Sequence, residues 1–374
     1  MFVVQGEGRG HLTQALALKE MLQQNGHEVV DVLVGKSCYR EIPAFFKEKI
    51  GREVTLFPSP NFCPSKDNRR FGLLRSIAYN IFLTPKYLYS LSLIRRHIQK
   101  SGADMVVNFY EILCGITCAL FRPQVPVACI GHQYLFLHPS FRMPGRYPMQ
   151  ESLLKWFTRM TCWGATVQLA LSIRSYPADV QQHIKVVPPL LRSEVRTVIR
   201  HHGDYIMGYI LNAGFYQDVL SWHEKHPFVK LHFFWDKKDA PEEIQVDDTL
   251  TFHTISDTMF LRYLAGCKAY ATTAGFESVC EALYMGKPVM MIPAHVEQVC
   301  NATDAEREQA GIRSDGFEMD RLLCFAHEYE EDVEFRMWEN QADTRMMSAL
   351  EAACDDYFYK RDSLAGHFLL GGRL

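Results

Sequence analysis

The segment from residue 272 to residue 302, TTAGFESVCEALYMGKPVMMIPAHVEQVCNA, contains side chains suited to holding a phosphorylated sugar. A strand-like run ends at Gly275, which has no side chain and lets the backbone approach a ligand closely. A helix pattern begins next, and the positive end of its dipole can accept a diphosphate while Ser278 donates to a phosphate oxygen. Glu281 follows one turn later, where its carboxylate can accept hydrogen bonds from ribose hydroxyls. This order of residues indicates a nucleotide-binding turn.

The residues on either side of this turn extend the candidate site. Thr273 and Ala274 precede the glycine, and the threonine hydroxyl can hydrogen-bond a phosphate without neutralising its charge. The loop after the strand-like run VMMIP presents Glu297 and Gln298. A carboxylate beside an amide suits the hydroxyl groups of a sugar, so these two side chains are candidate sugar contacts.

A glycine-dense loop near the N-terminus forms a second candidate site. Gly6, Gly8, Arg9 and Gly10 follow a short apolar strand pattern and precede His11. This is not a dinucleotide fingerprint, because His11 stands where the third glycine of G-x-G-x-x-G is required. A neutral imidazole can take a hydroxyl proton near pH 7, which makes His11 the candidate general base. A tight turn without a ligand and a solvent-facing His11 are the alternatives.

Two further polar residues follow a later strand pattern. His132 and Gln133 come directly after PVACIG. In a parallel sheet the carboxyl ends of the strands share one edge, so both side chains are expected to point into the same cleft as His11. We interpret them as acceptor-side residues, and the alternative is a structural histidine at the end of a strand.

Apolar runs alternate with helix patterns along the chain, which is typical of parallel sheets covered by helices. The strand patterns are FVVQ, EVVDVLV, EVTLF, DMVVNF, PVACIG, VQLALS and IKVVPP, and then DYIMGYIL, VKLHFFW, TLTFH, KAYATT and PVMMIP. We predict an α/β fold with two doubly wound Rossmann-like domains facing a cleft. The predicted domains span 1–189 and 190–332, because Pro188-Pro189 interrupts the alternation. A helical segment at 333–374 is expected to pack across the domain junction.

Composition narrows the functional classes. A net charge of −3 over 374 residues gives no reason to expect a nucleic-acid partner. The eleven cysteines include no C-x-x-C pair, and no Asp-x-Asp pair stands out, so we expect neither a metal site nor a cofactor. The chain starts in a strand pattern and has no apolar run of membrane-spanning length. We therefore expect a cytoplasmic protein.

Residues 69–100, RRFGLLRSIAYNIFLTPKYLYSLSLIRRHIQK, mix basic and large apolar side chains. Such a segment can lie on an anionic bilayer and receive a lipid-linked acceptor, which would place the protein peripherally at the inner face of the membrane. An ordinary pair of amphipathic helices packed on the sheet is the alternative.

The segment around residues 274–301 resembles the donor-binding signature of GT-B-fold glycosyltransferases. The matching positions are small-Gly-x-x-Ser-x-x-Glu over 274–281, followed by Gly286, Pro288, Pro293, Glu297, Gln298 and Asn301. It is similar to the UDP-glycosyltransferases and to the N-acetylglucosaminyltransferase family that forms lipid II. The N-terminal Gly-x-Gly-x-Gly-His resembles the acceptor-side loop of that second family. Together the two motifs and the two-domain pattern account for most of the chain.

The resemblance implies a GT-B glycosyltransferase that moves a hexose from a nucleotide-sugar, with UDP as the nucleotide, to a hydroxyl acceptor. It further implies a lipid-linked or cell-envelope glycan precursor as the acceptor, and catalysis without a bound divalent ion. Phosphates would lie near Gly275 and Ser278, with the ribose at Glu281. Two positions depart from the pattern, since Thr273 replaces a histidine or arginine and Glu277 replaces a small or amide residue. A nucleotide-sugar 2-epimerase and a non-catalytic nucleotide-sugar-binding protein remain as alternative functions.

Overall fold

The computed structural model describes residues 1–38, 40–60, 80, 82–210, 215–235 and 241–370, with side chains up to residue 361. The first half forms a parallel sheet of seven strands in the order β3-β2-β1-β4-β5-β6-β7. Its strands are Phe2–Gln5 (β1), Val32–Lys36 (β2), Val54–Pro58 (β3), Val106–Phe109 (β4), Val127–Gly131 (β5), Val167–Leu171 (β6) and Ile184–Val187 (β7). Every strand pattern predicted for this half overlaps one of these strands, although β2 and β3 extend one or two residues beyond EVVDVLV and EVTLF.

The second half forms another seven-stranded sheet, in the order β10-β11-β9-β8-β12-β13-β14. Its strands are Ile206–Ile210 (β8), Leu231–Trp235 (β9), Glu243–Gln245 (β10), Leu250–Thr254 (β11), Ala269–Thr272 (β12), Val289–Met291 (β13) and Ile312–Arg313 (β14). All pairs are parallel except the edge pair of β10 with β11. The sequence did not predict β10 and β14, because strands of three and two residues are too short to show a periodic pattern.

Helices connect the strands in both halves, which confirms the predicted doubly wound α/β architecture. The described helices are Arg9–Gln24 (α1), Ala44–Ile50 (α2), Thr84–Lys100 (α3), Ile112–Phe121 (α4), Pro148–Thr161 (α5), Ser193–Thr197 (α6), Tyr216–His223 (α7), Asp257–Gly266 (α8), Phe276–Tyr284 (α9), Val296–Arg307 (α10), Met319–Glu328 (α11), Val333–Glu339 (α12) and Ala342–Leu370 (α13), and a 3₁₀ helix spans His132–Leu137.

Helix α1 illustrates how the sequence positions one wall of the cleft. Leu12, Ala15 and Leu16 are buried against the sheet. The helix ends at Gln24, and Gly26 adopts a φ of 79°, a left-handed conformation that favours glycine. The buried face and the stop at Gly26 both agree with the apolar spacing in the sequence.

One apolar cluster spans the two halves, and each half also has a further buried cluster of mainly its own residues. The largest buried cluster runs without a break from strand β1 to helix α9. The C-terminal helices add polar contacts, because the indole of Trp338 donates to the carbonyl of Ser172 at 2.9 Å and the hydroxyl of Tyr357 donates to the carbonyl of Pro123 at 2.9 Å. Residues after 332 therefore contact the first half. The exact domain boundaries stay a prediction.

The basic and apolar segment predicted at 69–100 is only partly described. Residues 69–79 and 81 lie outside the described residues. Helix α3 covers the remainder and buries Tyr87, Leu91 and Ile94, while Leu88 and Tyr89 are exposed. Within the described residues, none of the helices combines the length and the apolar character needed to cross a membrane.

Candidate active site

The glycine loop after β1 is held tightly against strand β2. The N–H of Gly6 donates to the carbonyl of Gly35 at 2.8 Å, and a Cβ on Gly6 would lie 2.7 Å from Val34 Cγ1. The carboxylate of Glu7 accepts hydrogen bonds from the backbone N–H and the hydroxyl of Ser37. These contacts fix the loop at the carboxyl edge of the first sheet, where ligands bind in doubly wound folds.

Helix α1 begins directly after this loop. Gly8 is its N-cap and supplies no side-chain hydrogen bond, so the first N–H groups of the helix lack a side-chain cap. The guanidinium of Arg9 lies over the ring of Phe45, with 5.7 Å between Cζ and the ring centroid. The uncapped helix end thus faces the region that the sequence assigned to the acceptor.

His11 lies in the first turn of helix α1 and is buried, not solvent-facing. Its ring stacks on Tyr110, with 5.4 Å between the ring centroids, and its Nδ1 lies 3.1 Å from Oε1 of Gln14. Burial lowers the pKa of His11 to about 4, against the opposing effect of the hydrogen bond with Gln14. The imidazole is therefore neutral at pH 7, the state that a general base requires.

Side chains from the second half reach across the cleft to His11 and its neighbours. Gln14 donates from Nε2 to Oε1 of Glu277, the second residue of helix α9. Gln133 donates from Nε2 to Oε1 of Glu297 at 3.0 Å and lies 3.4 Å from Nε2 of His11. The structure therefore brings His11 and Gln133 together, and it adds Gln14 and Glu277 to the site.

His132 also contacts the second half. Its ring stacks on Phe276 at 3.9 Å between centroids, and its Nδ1 donates to the carbonyl of Leu171 at 2.7 Å. The other ring nitrogen, Nε2, is buried and has no hydrogen-bond partner in the described part of the chain. Burial lowers the pKa of His132 to about 4. A neutral imidazole with a free acceptor nitrogen thus lines the domain junction beside Gln133.

The nucleotide-binding turn predicted at 273–278 joins β12 to helix α9. Ala274 has a φ of 59°, and Gly275 is the N-cap of the helix without providing a side-chain cap. The hydroxyl of Ser278 donates to the carbonyl of Gly275 at 3.2 Å. The buried hydroxyl oxygen of Thr273 lacks a hydrogen-bond partner among the described residues. An uncapped helix end and an unpartnered hydroxyl lie side by side, an arrangement suited to an anionic ligand.

Glu281 has a partner that the sequence did not suggest. Arg192 donates to both of its carboxylate oxygens, at 2.6 Å from Nε and 3.0 Å from Nη2, and lies 3.5 Å from Asp257. Both members of the pair are shielded from solvent, with the Glu281 side chain 3% exposed. Arg192 follows the diproline that ends the first half, and no motif in that stretch indicates an ion-pair partner.

The sequence predicted Glu297 and Gln298 in a loop, but both lie in the first turn of helix α10, whose side chains hold the loop before it. Oε1 of Gln298 accepts from the backbone N–H of Ala294 at 2.8 Å, and Asn301 donates to the carbonyl of Ala274 at 3.3 Å. Glu297 is half-buried beside them, and burial raises the pKa of its carboxyl group. These bonds tie the predicted sugar-binding loop to the predicted phosphate-binding turn.

The described residues contain no group of three or more His, Cys, Asp or Glu side chains that could hold a metal ion. The expectation of catalysis without a metal stays a prediction.

The chain resembles known proteins over nearly its whole length. A model of glycosyl transferase family 1 matches residues 1–328. A protein of Methanosarcina acetivorans described as an uncharacterized glycosyltransferase is 26% identical, over 82% of this chain and 81% of that protein.

Solved structures share the fold at low sequence identity. The glycotransferase of kitacinnamycin has a TM-score of 0.62 at 15% identity, over 94% of this chain and 98% of that one. Arabidopsis thaliana UGT89C1 in complex with UDP has a TM-score of 0.61 at 12% identity, over 95% and 98%. Phytolacca americana UGT2 with UDP-2-fluoro-glucose and pterostilbene has a TM-score of 0.61 at 12% identity, over 95% and 99%.

Proposed function

This chain belongs to glycosyl transferase family 1 and is a glycosyltransferase, and we propose that it transfers a sugar from a UDP-linked donor to a hydroxyl acceptor. The single observation that carries the proposal is the turn at Thr273–Ser278, which has an uncapped helix end and an unpartnered hydroxyl. This turn includes Glu277, the residue that Gln14 joins to His11. Membership of the family favours a transferase over a 2-epimerase or a non-catalytic sensor.

In the proposed reaction, the acceptor oxygen attacks the anomeric carbon and gives its proton to His11. The bond between that carbon and the diphosphate breaks, and its electron pair leaves with UDP. The N–H groups at the start of helix α9 would stabilise the charge that develops on the leaving diphosphate. His11→Ala should lower kcat by about 10²-fold or more while UDP affinity stays near that of the wild type. Unchanged turnover would remove His11 from the mechanism.

One feature supports UDP as the nucleotide carrier, and a second supports a ribonucleotide. Relatives of the same fold have been solved with UDP and UDP-2-fluoro-glucose bound. In this chain, Arg192 orients both oxygens of Glu281, and each oxygen keeps a lone pair for a ribose hydroxyl. Glu297 and Gln298 are the proposed contacts of the sugar.

Thermal shift with a panel of UDP-, GDP- and dTDP-sugars tests the choice of donor, because a ligand that binds only the folded state raises the melting temperature. We expect the UDP-sugars to give the largest shifts. A larger shift with another nucleotide series would overturn UDP as the carrier.

We further propose that the acceptor is lipid-linked and reaches the enzyme at a membrane surface. Helices α3 and α5 both pack against α4, and α5 exposes Met149 and Trp156, which are 74% and 56% accessible, beside Lys155. Helix α3 also exposes large apolar and aromatic side chains, among them Leu88 and Tyr89. Aromatic and basic side chains on one face suit the interface of an anionic bilayer.

Co-sedimentation with vesicles of phosphatidylcholine alone and of phosphatidylcholine with phosphatidylglycerol tests this surface. We expect binding to the anionic vesicles only, with release as salt rises. Trp156→Ser should weaken it, and Phe228→Ser, which changes a 92% exposed side chain in the second half, should not. Absence of binding to both vesicle types would leave helix α5 as an ordinary exposed surface.

A further inference from the structure

Two glutamines of the first half stand between His11 and two carboxylates of the second half. Gln14 joins Nδ1 of His11 to Glu277, and Gln133 joins Nε2 of His11 to Glu297. All the side chains between the imidazole and the carboxylates are buried or half-buried. The base candidate is thus connected on both ring nitrogens to the opposite domain.

The chemistry of these groups fixes the proton on the ring. An ionised carboxylate only accepts hydrogen bonds, so Gln14 must turn its NH₂ group to Glu277 and its carbonyl oxygen to His11. That oxygen also only accepts, so Nδ1 of His11 must carry the ring proton. Gln133 is oriented in the same way, because its NH₂ group faces both Glu297 and Nε2 of His11. The lone pair of the neutral imidazole therefore lies on Nε2.

We propose that Glu277 is a positioning residue for His11: through Gln14, its carboxylate holds the imidazole in the tautomer whose Nε2 takes the proton of the acceptor. The inference rests on the proposed role of His11 as the base. Glu277 belongs to the domain that would bind the donor, so the base is correctly oriented only when the two domains are closed on each other.

The hydrogen-bonded series of His11, Gln14 and Glu277, called the relay below, also stabilises the product of proton transfer. When Nε2 takes the proton, His11 becomes a cation in a buried position, which costs free energy. The negative charge of Glu277 lies one amide group away and offsets part of this cost, as a carboxylate does beside a catalytic imidazole.

Gly10 leaves the space that the relay needs. A Cβ on Gly10 would lie 2.5 Å from Oε2 of Glu277 and 2.9 Å from its carboxyl carbon. Any side chain at residue 10 must therefore push the carboxylate away from Gln14. This accounts for the last glycine of the N-terminal loop, whose backbone conformation itself does not require glycine.

Protonation of Glu277 should reverse the relay. The carboxylate is faced by Gln14 of helix α1, by Glu297 of helix α10 and by Glu281 of its own helix, and burial together with the two acidic neighbours raises its pKa to about 7. A protonated carboxyl can donate to the carbonyl oxygen of Gln14, whose NH₂ group then faces Nδ1 of His11. The ring proton must then move to Nε2, which leaves that nitrogen without a lone pair for the proton of the acceptor. Turnover should therefore fall as the pH drops below 7.

The direct test is the tautomer of His11, read from the ¹⁵N resonances of histidine-labelled protein without any ligand. His11→Ala assigns the signals. At a pH well above 7, where Glu277 is ionised, we expect the Nδ1–H tautomer in the wild type and in the control Glu48→Gln, which changes an exposed glutamate of helix α2. Glu277→Leu should populate the Nε2–H tautomer, and Gly10→Ala should do so with the carboxylate still in the chain. An Nδ1–H tautomer retained in both variants would overturn the inference.

An exchange of the two side chains separates positioning from a structural contact. Gln14→Glu combined with Glu277→Gln keeps the hydrogen bonds and puts the carboxylate directly on Nδ1 of His11. The acid limb of the pH profile of kcat/KM, which Glu277 with its pKa of about 7 sets in the wild type, should then move to lower pH, because that carboxyl group is gone and the new carboxylate is stabilised by direct contact with the imidazole that takes the proton. If the contact is only structural, the exchanged pair should restore the fold and leave the acid limb at its wild-type pH. That result would count against the inference.

Turnover links the relay to the proposed function. With the UDP-sugar that gives the largest thermal shift, Glu277→Leu should lower kcat about tenfold or more at unchanged donor KM, because the base is in the wrong tautomer. If His11→Ala keeps full turnover, the proposed base fails whatever the tautomer shows. If His11→Ala is inactive and Glu277→Leu has wild-type kcat, only the relay is overturned.

Discussion

The two halves of the molecule use the same turn in opposite ways. Strand β4 in the first sheet and strand β12 in the second occupy equivalent places, each beside the strand that begins its half. Each is followed by a residue in the left-handed region, Tyr110 with a φ of 60° and Ala274 with a φ of 59°. A helix starts after each turn, so the backbone offers the same helix end to the cleft twice.

The first half fills its turn with its own side chains. The ring of Tyr110 stacks on His11, and the carboxylate of Glu111 caps helix α4 by accepting from the N–H of Leu113 at 3.1 Å. In the second half Ala274 and Gly275 leave the start of helix α9 uncapped. Of these two turns, the first has its own capping side chain, whereas the second has none and keeps the unpartnered hydroxyl of Thr273, which supports placing the diphosphate at helix α9.

The acidic residues near the starts of the two helices also differ, in whether a basic side chain compensates their charge. Glu281 of helix α9 has the bidentate partner Arg192, whereas none of the described ion pairs involves Glu111. Glu111 instead accepts from the hydroxyl of Ser59 at 2.6 Å. Substitution by glutamine should therefore lower the unfolding free energy at Glu281 and raise it at Glu111.

The largest expected effect is at Glu281. Glu281→Gln leaves the buried guanidinium of Arg192 without its bidentate partner, with Asp257 and Glu194 as the remaining nearby acidic groups, and breaking a buried pair costs about 3 kcal/mol of unfolding free energy. The lost charge should also weaken UDP binding about tenfold. Urea unfolding and calorimetric titration of UDP measure the two effects.

The double variant Arg192→Met with Glu281→Gln separates these roles, since removal of both charges should recover most of the stability. If Glu281 contacts the ribose, UDP affinity stays low in the double variant. Recovery of both properties would make Glu281 a structural counter-ion and withdraw it from the donor site.

The second prediction makes the second turn resemble the first. Gly275→Asp supplies helix α9 with its own capping carboxylate, and the glycine has room for it, because a Cβ there would meet nothing closer than Ser278 Oγ at 3.7 Å. Stability should stay equal or rise slightly, since aspartate is a good N-cap. UDP affinity should fall by about 100-fold, because a carboxylate then occupies the place of a phosphate.

Gly275→Ala is the matched control for that variant, because it fills the same space without a charge. It should change UDP affinity far less than Gly275→Asp. Equal affinities for the aspartate variant and the wild type would place the diphosphate elsewhere.

The third prediction concerns pH and the uncompensated acid of the first half. Burial raises the pKa of Glu111 from its ordinary 4.5 to about 7. Between these values the folded protein binds a proton that the unfolded chain has released, so this carboxyl makes stability fall as the pH rises through that window. Glu111→Gln can still accept from Ser59 and removes the penalty. Relative to the wild type, it should gain about 2 kcal/mol between pH 5 and pH 8, measured by urea unfolding.

Much of the fold follows from the sequence because buried parallel strands are continuous apolar runs, which stand out between helix patterns. The turn between β12 and helix α9, from Thr273 to Glu281, can likewise be predicted from the local spacing of residues. Gln14, Arg192 and the orientation of Glu277 could not be predicted in this way. Their contacts depend on how the two domains dock, and the periodicity of a helix or strand records which face is buried without recording its distant partner. In the sequence, Glu277 stands out only as a departure from the donor-binding signature.

The smallest expected effect tests the strain in the second turn. Ala274→Gly relieves a left-handed conformation worth about 1 kcal/mol but removes a fully buried methyl group worth about 0.8 kcal/mol, so the unfolding free energy should change by less than about 0.5 kcal/mol. Gln309→Gly is the matched control, because Gln309 has a φ of 58° in an exposed position and loses no buried methyl. Gln309→Gly should raise the unfolding free energy by about 0.5–1 kcal/mol. A loss of more than about 1 kcal/mol in Ala274→Gly would mean that this methyl packs the turn as Tyr110 packs its counterpart, and the contrast between a filled and an open turn would weaken.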